Sequence, residues 1–214
     1  MNMQEDTKSR IVEAAGAVFA DKGFDAATVR EICHRAGANL AAVNYHFGDK
    51  QRLYLEAIRR AHQSRVEQAP LPDWPPETPP QRKLADFVYT LISRMLLEDG
   101  ATWHTQLMLR EMSRSDSACK ELVADYIRPQ FEVLQAILTE LLPADVSPER
   151  RHLISFSIVG QCLQYRVAGP VMRLLVSKEE YRRYTHQRLA DHITSLTLAA
   201  LGLEPSICEA RAMS

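Results

Sequence analysis

The chain has 214 residues, of which 46% are hydrophobic, 25% are charged and 8 are Gly, a composition typical of packed helices and not of a disordered chain. Its 26 Lys and Arg residues nearly balance its 27 Asp and Glu residues, so the net charge of −1 excludes binding of nucleic acid by bulk charge alone. We expect a cytoplasmic protein without a membrane span, because no apolar run approaches roughly 20 residues and the polar start is unlike a signal peptide.

The predicted elements begin with a helix over about 6–21, followed by Gly23 as its stop. Its core positions, apolar and at helical spacing, are Ile11, Ala14, Ala15, Val18 and Phe19. Thr28 followed by Glu31 predicts a capping box, in which the two residues satisfy each other's backbone amides at the start of a second helix. This short helix is expected to end at Gly37.

A third short helix is predicted after Asn39, which is a favourable cap. Leu40, Val43 and Phe47 repeat at three- and four-residue spacing and form its apolar side. The side chains directed elsewhere are Ala41, Ala42, Asn44, Tyr45 and His46. Asp49 then caps a long fourth helix, and the four helices together predict a compact head.

A proline-rich stretch over 69–80 ends the fourth helix, because proline lacks a backbone donor and disfavours helix in the residue before it. A proline-rich recognition peptide is the alternative, but its place between helical segments favours a connecting loop. We therefore predict a helix-turn-helix domain over 1–50, a connecting helix over 51–68, this loop, a ligand-binding and dimerisation domain over 81–203 and a tail over 204–214.

The larger domain is predicted to be helical throughout, over about 81–98, 102–114, 117–142, 148–168 and 178–201. Pro129 predicts a kink in the third of these helices. Ser147 followed by Pro148 predicts a helix start, and Gly202 predicts a helix end. The expected fold class is all-α, with a three-helix head and a larger helical effector domain.

Two short helices joined by a turn at Gly37 are typical of a helix-turn-helix, whose second helix enters the major groove of DNA. The Asn44 amide carries a donor and an acceptor that suit the edge of adenine. Ala41 and Ala42 are small enough to let the helix approach and to contact a thymine methyl group. The third predicted helix is therefore a candidate recognition helix.

The stretch over 28–58 resembles the helix-turn-helix of the TetR family of bacterial regulators. The resemblance lies in Lys22-Gly23-Phe24, Ala36-Gly37, Asn44-Tyr45-His46-Phe47 and Lys50. It implies phosphate contacts from Tyr45, His46, Thr28, Arg30 and Lys50, with Leu40 near the DNA backbone. Packing of Tyr45 or His46 in a small core is the alternative. The family's usual Gly-Val-Ser is replaced by Gly37-Ala38-Asn39, which keeps the capping chemistry.

The later stretch over 158–170 looks like the C-terminal domain of one subfamily, the CecR-like group. The resemblance to the TetR family implies a repressor that binds a palindromic operator in double-stranded DNA as a homodimer and is released by a small organic effector. A two-fold pair is also what two DNA half-sites require. The candidate dimer residues form two apolar stripes, Ile154, Ile158, Cys162, Leu189, Ile193, Leu196 and Ala200. The alternative is that both stripes are internal core.

An aromatic set with a few polar groups predicts the effector site, since enclosed small-molecule sites have this composition. Its members are Trp103, Gln106, Leu107, Arg110, Tyr126, Phe131 and Tyr165. Ordinary core packing is the alternative for each of them. Arg110 among aromatic groups suits a planar or acidic effector.

Enzyme chemistry and cofactors are not expected, because the seven His residues are scattered and no phosphate loop or nucleophile motif occurs. The widely spaced Cys33, Cys119, Cys162 and Cys208 indicate neither a zinc site nor a disulfide framework. The alternative function is a helical adaptor that senses a metal or a partner without binding DNA.

Overall fold

A computed structural model describes residues 3–96, 103–112, 120–121 and 123–203. The chain forms two compact units, one of Met1–Glu67 with Glu98–Arg128 and one of Gln68–Leu97 with Pro129–Ser214. It therefore passes between the units after residues 67, 97 and 128. The domain predicted over 81–203, in contrast, includes 98–128. Cys119, Cys208 and the tail over 204–214 lie outside the described residues.

The all-α prediction is confirmed: the described elements are helices, and a π-helical turn, Val123–Ile127, directly precedes α7. None of the described helices is both long and apolar enough to cross a membrane. In chain order the helices are α1 (Met3–Ala26), α2 (Val29–Ala36), α3 (Leu40–Phe47), α4 (Lys50–Gln68), α5 (Pro80–Leu96), α6 (Trp103–Met112), α7 (Arg128–Leu141), α8 (Pro148–Val167), α9 (Gly169–Leu175), α10 (Lys178–Tyr181) and α11 (His186–Ala200).

The predicted helix caps of the head are present. The Thr28 hydroxyl accepts from the Glu31 amide at 3.2 Å, and the Asn39 side chain accepts from the Ala42 amide at 2.8 Å. Gly37 ends α2 in the left-handed conformation, with φ of 60°. The reciprocal half of the capping box is not formed, because the Glu31 carboxylate accepts from the Lys22 ammonium at 2.7 Å instead.

The core of the first unit combines the predicted stripe of α1 with α3, α4 and α6. Trp103 and Leu107 of α6 belong to this core, and Trp103 is only 8% exposed. The Trp103 indole covers Gly16, where a side chain would overlap the ring, and its N–H donates to the Glu13 carboxylate at 3.2 Å. Helix α6 is thus part of the head's own core.

Arg110 of α6 binds the end of α1. Its guanidinium donates to the backbone oxygens of Ala20 at 3.5 Å, Asp21 at 3.4 Å and Lys22 at 3.2 Å. These oxygens lie beside the break in α1 at Gly23, which has φ of 79° and ψ of 174°. Because the last carbonyls of a helix carry partial negative charge, a guanidinium there stabilises the helix end.

Replacing Gly23 with Ala is expected to destabilise the protein more than the same change at Gly202. Both glycines have positive φ, but a Cβ on Gly23 would lie 2.5 Å from the Arg110 guanidinium, whereas no atom lies within 4 Å of a Cβ on Gly202. The Gly23 conformation is confined to glycine and costs about 1–3 kcal/mol for other residues. In the Ala variant the Cβ must also displace the Arg110 guanidinium, which adds a second cost. Urea unfolding of both variants measures the difference, and equal losses would show that the Arg110 contact contributes nothing.

The second unit packs α5 against α8 and α11. Its core lies between these helices and α7, and its largest fully buried side chains are Leu84, Ile92, Leu134, Ile137 and Leu138. The Ser147 hydroxyl caps α8 by accepting from the Arg150 amide at 3.2 Å, as predicted. Pro129 lies in the first turn of α7, which directly follows the π-helical turn, so the predicted continuous helix with a kink at Pro129 is replaced by two elements.

Two parts of the second unit differ from the predicted helices. The predicted helix over 178–201 is divided, because α10 ends at Tyr181 and the Thr185 hydroxyl starts α11 by accepting from the Arg188 amide at 3.2 Å. Helix α9 is not among the predicted elements. The proline-rich stretch is a connecting loop bound to α5, since Trp74 donates to the Asp86 carboxylate at 3.2 Å.

Candidate nucleic-acid interface and effector residues

Helix α3 has one buried side and one open side. Val43 and Phe47 are buried in the core of the first unit, whereas Tyr45 is 75% exposed and Leu40 is 56% exposed. The half-buried residues Ala42 and His46 border the open side, to which the exposed Ala41 and Asn44 also belong. The structure therefore brings the predicted recognition residues together on one surface. Leu40 departs from the predicted apolar side, because it lies in the first turn beside the cap and faces solvent.

The Asn44 amide is available on this surface, since it forms no hydrogen bond with a described side chain or backbone group. An amide has two donors and an acceptor with two lone pairs, which is the pattern that adenine matches in the major groove. Ala41 beside it presents only a methyl group. The open side of α3 can thus approach base edges without first breaking a protein contact.

Tyr45 and His46 have different surroundings. The Tyr45 ring meets the His46 ring edge-on, with centroids 5.0 Å apart, and Tyr45 is otherwise open to solvent. Packing in a small core is therefore excluded for Tyr45. The half-buried His46 also lies 6.0 Å from the Phe47 ring, so it lies between the surface and the core.

The three remaining predicted DNA contacts come from α2 and α4. The Thr28 hydroxyl oxygen accepts the capping bond, which leaves its O–H to donate. Arg30 is exposed and forms no ion pair with a described carboxylate. The Lys50 ammonium donates to the Asp25 carbonyl at 3.3 Å and lies 4.6 Å above the Phe24 ring, so it joins the start of α4 to the end of α1.

A depression of about 450 Å³ beside α3 contains basic residues that the sequence analysis did not select, namely Lys8, Arg52 and Arg59. Lys8 lies 3.7 Å from Glu56, and Arg52 lies 3.8 Å from Asp49, in solvent-exposed ion pairs. Ion pairs near the surface contribute about 0–1 kcal/mol to stability, so Lys8 and Arg52 can exchange these carboxylates for DNA phosphates. Single basic residues on polar helix faces carry no sequence signal that distinguishes them from ordinary surface charge.

The seven predicted effector residues are divided between the two units. Trp103, Gln106, Leu107, Arg110 and Tyr126 belong to the first unit, and Phe131 and Tyr165 belong to the second. Arg110 binds the carbonyls of α1, and Trp103 and Leu107 fill the core of the head. The core alternative therefore accounts for Trp103 and Leu107, and the acidic-effector interpretation of Arg110 is replaced by a helix-capping role.

Most of the predicted dimer residues are internal. The core of the second unit contains Ile154, Ile158, Cys162, Leu189 and Ile193, so the alternative of internal core accounts for these five. Cys162 is fully buried, and this burial raises the pKa of its thiol to about 12. Only Leu196, at 50% exposed, and Ala200 face solvent.

The exposed apolar side of α8 is offset from the predicted stripe. We call it, together with the exposed end of α11, the outer face. On α8 it consists of Leu153, Phe156, Gly160, Gln164 and Val167, and on α11 of Leu196, Ala199 and Ala200. Phe156 is 60% exposed and stacks on Phe131 with centroids 5.8 Å apart. This stripe is not recognisable from the sequence, because Gly160 and Gln164 interrupt its apolar pattern.

A compact helical head with an open second helix after a Gly37 turn defines a helix-turn-helix DNA-binding protein. Residues 11–57 match the family of bacterial regulatory proteins called the tetR family, and residues 80–202 match the C-terminal domain of the HTH-type transcriptional dual regulator CecR. The chain belongs to the TetR family of transcriptional regulators and has a C-terminal domain of the CecR type. The resemblance stated from the sequence is confirmed.

Individual relatives agree with this assignment. The dual regulator CecR of Shigella flexneri is 25% identical over 203 residues, which cover 88% of this chain and 90% of the relative. The transcriptional repressor AcnR of Corynebacterium efficiens is 37% identical over 54 residues, covering 25% of this chain and 29% of AcnR. The structure of AibR with isovaleryl coenzyme A and operator DNA shares the fold, with a TM-score of 0.64, 17% identity and coverage of 93% of this chain and 98% of AibR.

Proposed function

We propose that the chain is a homodimeric repressor that binds a palindromic operator in the cytoplasm and leaves it when a small organic effector binds. The observation that carries this proposal is the open side of α3, where the free Asn44 amide lies beside Ala41 and Tyr45. The relatives are regulators of transcription, and we infer a regulatory and not an enzymatic role.

Recognition divides between bases and phosphates. Asn44 pairs with an adenine edge, and Ala41 and Ala42 contact thymine methyl groups. Phosphates are bound around them, which sets the position of α3 without reading sequence. The phosphate ligands in this proposal are Thr28, Arg30, Tyr45, His46 and Lys50, with Leu40 against the sugar-phosphate backbone and Lys8 and Arg52 as further cations.

The outer face supports pairing of two chains. A palindromic site presents two half-sites about 34 Å apart, or a multiple of that distance, and only a two-fold pair can occupy both. Leu153 and Phe156 on α8 and Leu196 on α11 are large exposed apolar residues of the kind that protein interfaces cover. Pairing through this surface replaces the predicted interface residues that lie inside the second unit.

Release is proposed to occur by a population shift. The effector binds more tightly to a conformation whose two heads no longer match the grooves, and operator affinity falls by the same free energy. In this proposal the connecting helix α4 transmits the change to the head, and α6 takes part in it, since Trp103 and Arg110 fasten α6 to α1. The fold shared with AibR, whose structure contains both an acyl coenzyme A and operator DNA, supports control by a ligand.

Replacing Asn44 with Ala is expected to weaken operator binding by about 1–3 kcal/mol and to relax the preference at one base pair, because a bidentate base contact is lost. Titrations with the duplex upstream of the gene and with single-base variants measure both effects. The chain should stay folded, because the Asn44 side chain is exposed and forms no hydrogen bond with a described residue.

Arg30→Gln is the matched control for charge. It should weaken all duplexes alike and reduce the slope of log affinity against log salt by about 1, since one phosphate contact is removed.

A helical adaptor without DNA binding, the alternative function, would show no sequence-dependent binding in either titration. Within the described residues, no group of three His, Cys, Asp or Glu side chains is arranged to hold a metal ion. An unchanged Asn44→Ala variant would contradict base recognition by α3.

A further inference from the structure

We propose that the second unit binds an amphipathic organic anion, a carboxylate with an apolar tail, in a cavity between the end of α8, α9 and the start of α11. We call it the α9 cavity. Its volume is about 430 Å³, which falls in the range of roughly 300–1,000 Å³ that small-molecule sites occupy. The inference rests on the proposed function in one respect, namely that the occupant acts as the effector.

The walls of the α9 cavity are apolar. Met172 and Val176 line it from α9 and the residue after it, and both are half-buried. Leu189 of α11 also lines the cavity and is only 6% exposed. Leu175 is a further lining residue and is 76% exposed, so its large apolar side chain is open to solvent. Covering these groups with an aliphatic chain removes apolar surface from water, which favours binding.

One side of the cavity is basic. Arg188 and His192 both line it, and they lie one turn apart on α11, so they occupy the same side of that helix. Arg188 forms no ion pair with a described carboxylate, and no Asp or Glu is among the lining residues. The nearby carboxylate of Glu180 accepts instead from the Tyr184 hydroxyl at 3.1 Å. A guanidinium beside an apolar wall selects a planar anion, which it binds through two parallel hydrogen bonds.

Tyr165 adds a neutral hydroxyl group to the lining. It lines the cavity from α8 and is half-buried. Burial, with a smaller contribution from Cys162, raises the pKa of Tyr165, so its phenol keeps its proton and does not repel an anion. Tyr165 also belongs to the effector set chosen from the sequence, and it is the member of that set that lies here. The basic partner is Arg188 and not the predicted Arg110.

Calorimetric titration of the full chain with octanoate and with 1-octanol tests the proposal. Octanoate should bind, and 1-octanol should bind at least about ten times more weakly, because it lacks the negative charge that strengthens hydrogen bonds to the Arg188 guanidinium. Arg188→Gln should weaken octanoate about tenfold or more and leave 1-octanol unchanged. Arg183→Gln is the matched control, since Arg183 is exposed between α10 and α11 and does not line the cavity.

A second pair of variants tests the apolar wall. Leu175→Ser should weaken both ligands, whereas Leu174→Ser should weaken neither, because Leu174 is 87% exposed and lies outside the lining. Equal octanoate binding by the wild type, Arg188→Gln and Leu175→Ser would overturn the site, as would absence of octanoate binding. The site is also overturned if Arg188→Gln or Leu175→Ser changes the sedimentation of the ligand-free protein, because the cavity is then a contact between copies.

Operator titrations with and without octanoate separate this inference from the proposed function. If octanoate binds in the α9 cavity and lowers operator affinity in the wild type but not in Arg188→Gln, both are supported. If octanoate binds with the expected variant pattern but operator affinity is unchanged, the site is supported and its effector role is wrong. If octanoate does not bind but Asn44→Ala still loses operator affinity, the site is wrong and DNA recognition stands.

Discussion

Replacing Trp103 with Ala is expected to lower the free energy of unfolding of the first unit by about 3–5 kcal/mol, as for other large side chains removed from a core. The indole is 8% exposed and covers Gly16 of α1. Its loss leaves a cavity between α6 and α1 and removes the hydrogen bond to Glu13. Urea unfolding followed by circular dichroism measures the change.

Trp74→Ala is the matched control for this result. Trp74 also donates its indole N–H to a carboxylate, that of Asp86, but it is only half-buried in the proline-rich loop. Its replacement should cost clearly less, because less apolar surface returns to water. If the two variants lose equal stability, or if Trp103→Ala loses ligand binding with no change in stability, then Trp103 is not a core residue of the head.

Replacing Gly160 with Glu is expected to separate the proposed homodimer while leaving each chain folded. A Cβ on Gly160 meets no atom within 4 Å, so there is space for a side chain in the single chain, and Glu favours a helix interior over Gly by up to about 1 kcal/mol. Pairing through the outer face would bury the added charges of both chains, which opposes association. Operator affinity should fall roughly 10²–10⁴-fold, since the benefit of two linked heads is lost. Sedimentation and operator titration measure the two effects.

Ala136→Glu controls for the added charge. Ala136 is exposed on α7, outside the outer face, and the substitution adds the same charge to a helix of the same unit. This variant should remain dimeric and bind the operator as the wild type does. A Gly160→Glu protein that sediments as a dimer with full operator affinity would place the pairing surface elsewhere.

Trp103 and Arg110, which the sequence predicts as effector residues, contact residues that are distant in the chain. Trp103 contacts Glu13 across 90 residues, and Arg110 contacts Ala20 across 90 residues. An aromatic residue and an arginine at helical spacing suit a ligand site and a core equally well. No local pattern records which other helix lies opposite, so the sequence alone could not assign them to the head.

Helix starts and stops could be predicted from the sequence, because they depend on residues within one helical turn. The caps at Thr28, Asn39 and Ser147 bind amides three residues away, and the stop at Gly37 depends on its own backbone conformation. The sides of α3 follow in part from the same local repeat, since Val43 and Phe47 are buried as predicted, whereas Leu40 faces solvent.

Which side of an apolar helix is buried, and against which other helix, depends on tertiary packing and could not be predicted from the sequence. Helix α8 has apolar residues on opposite sides, and packing in the second unit covers Ile158 but leaves Phe156 open. It also joined Tyr165, Met172 and Arg188 around one cavity from three separate segments. The physical reason is that burial is a property of the whole packed assembly, whereas periodicity records only that some surface of a helix is apolar.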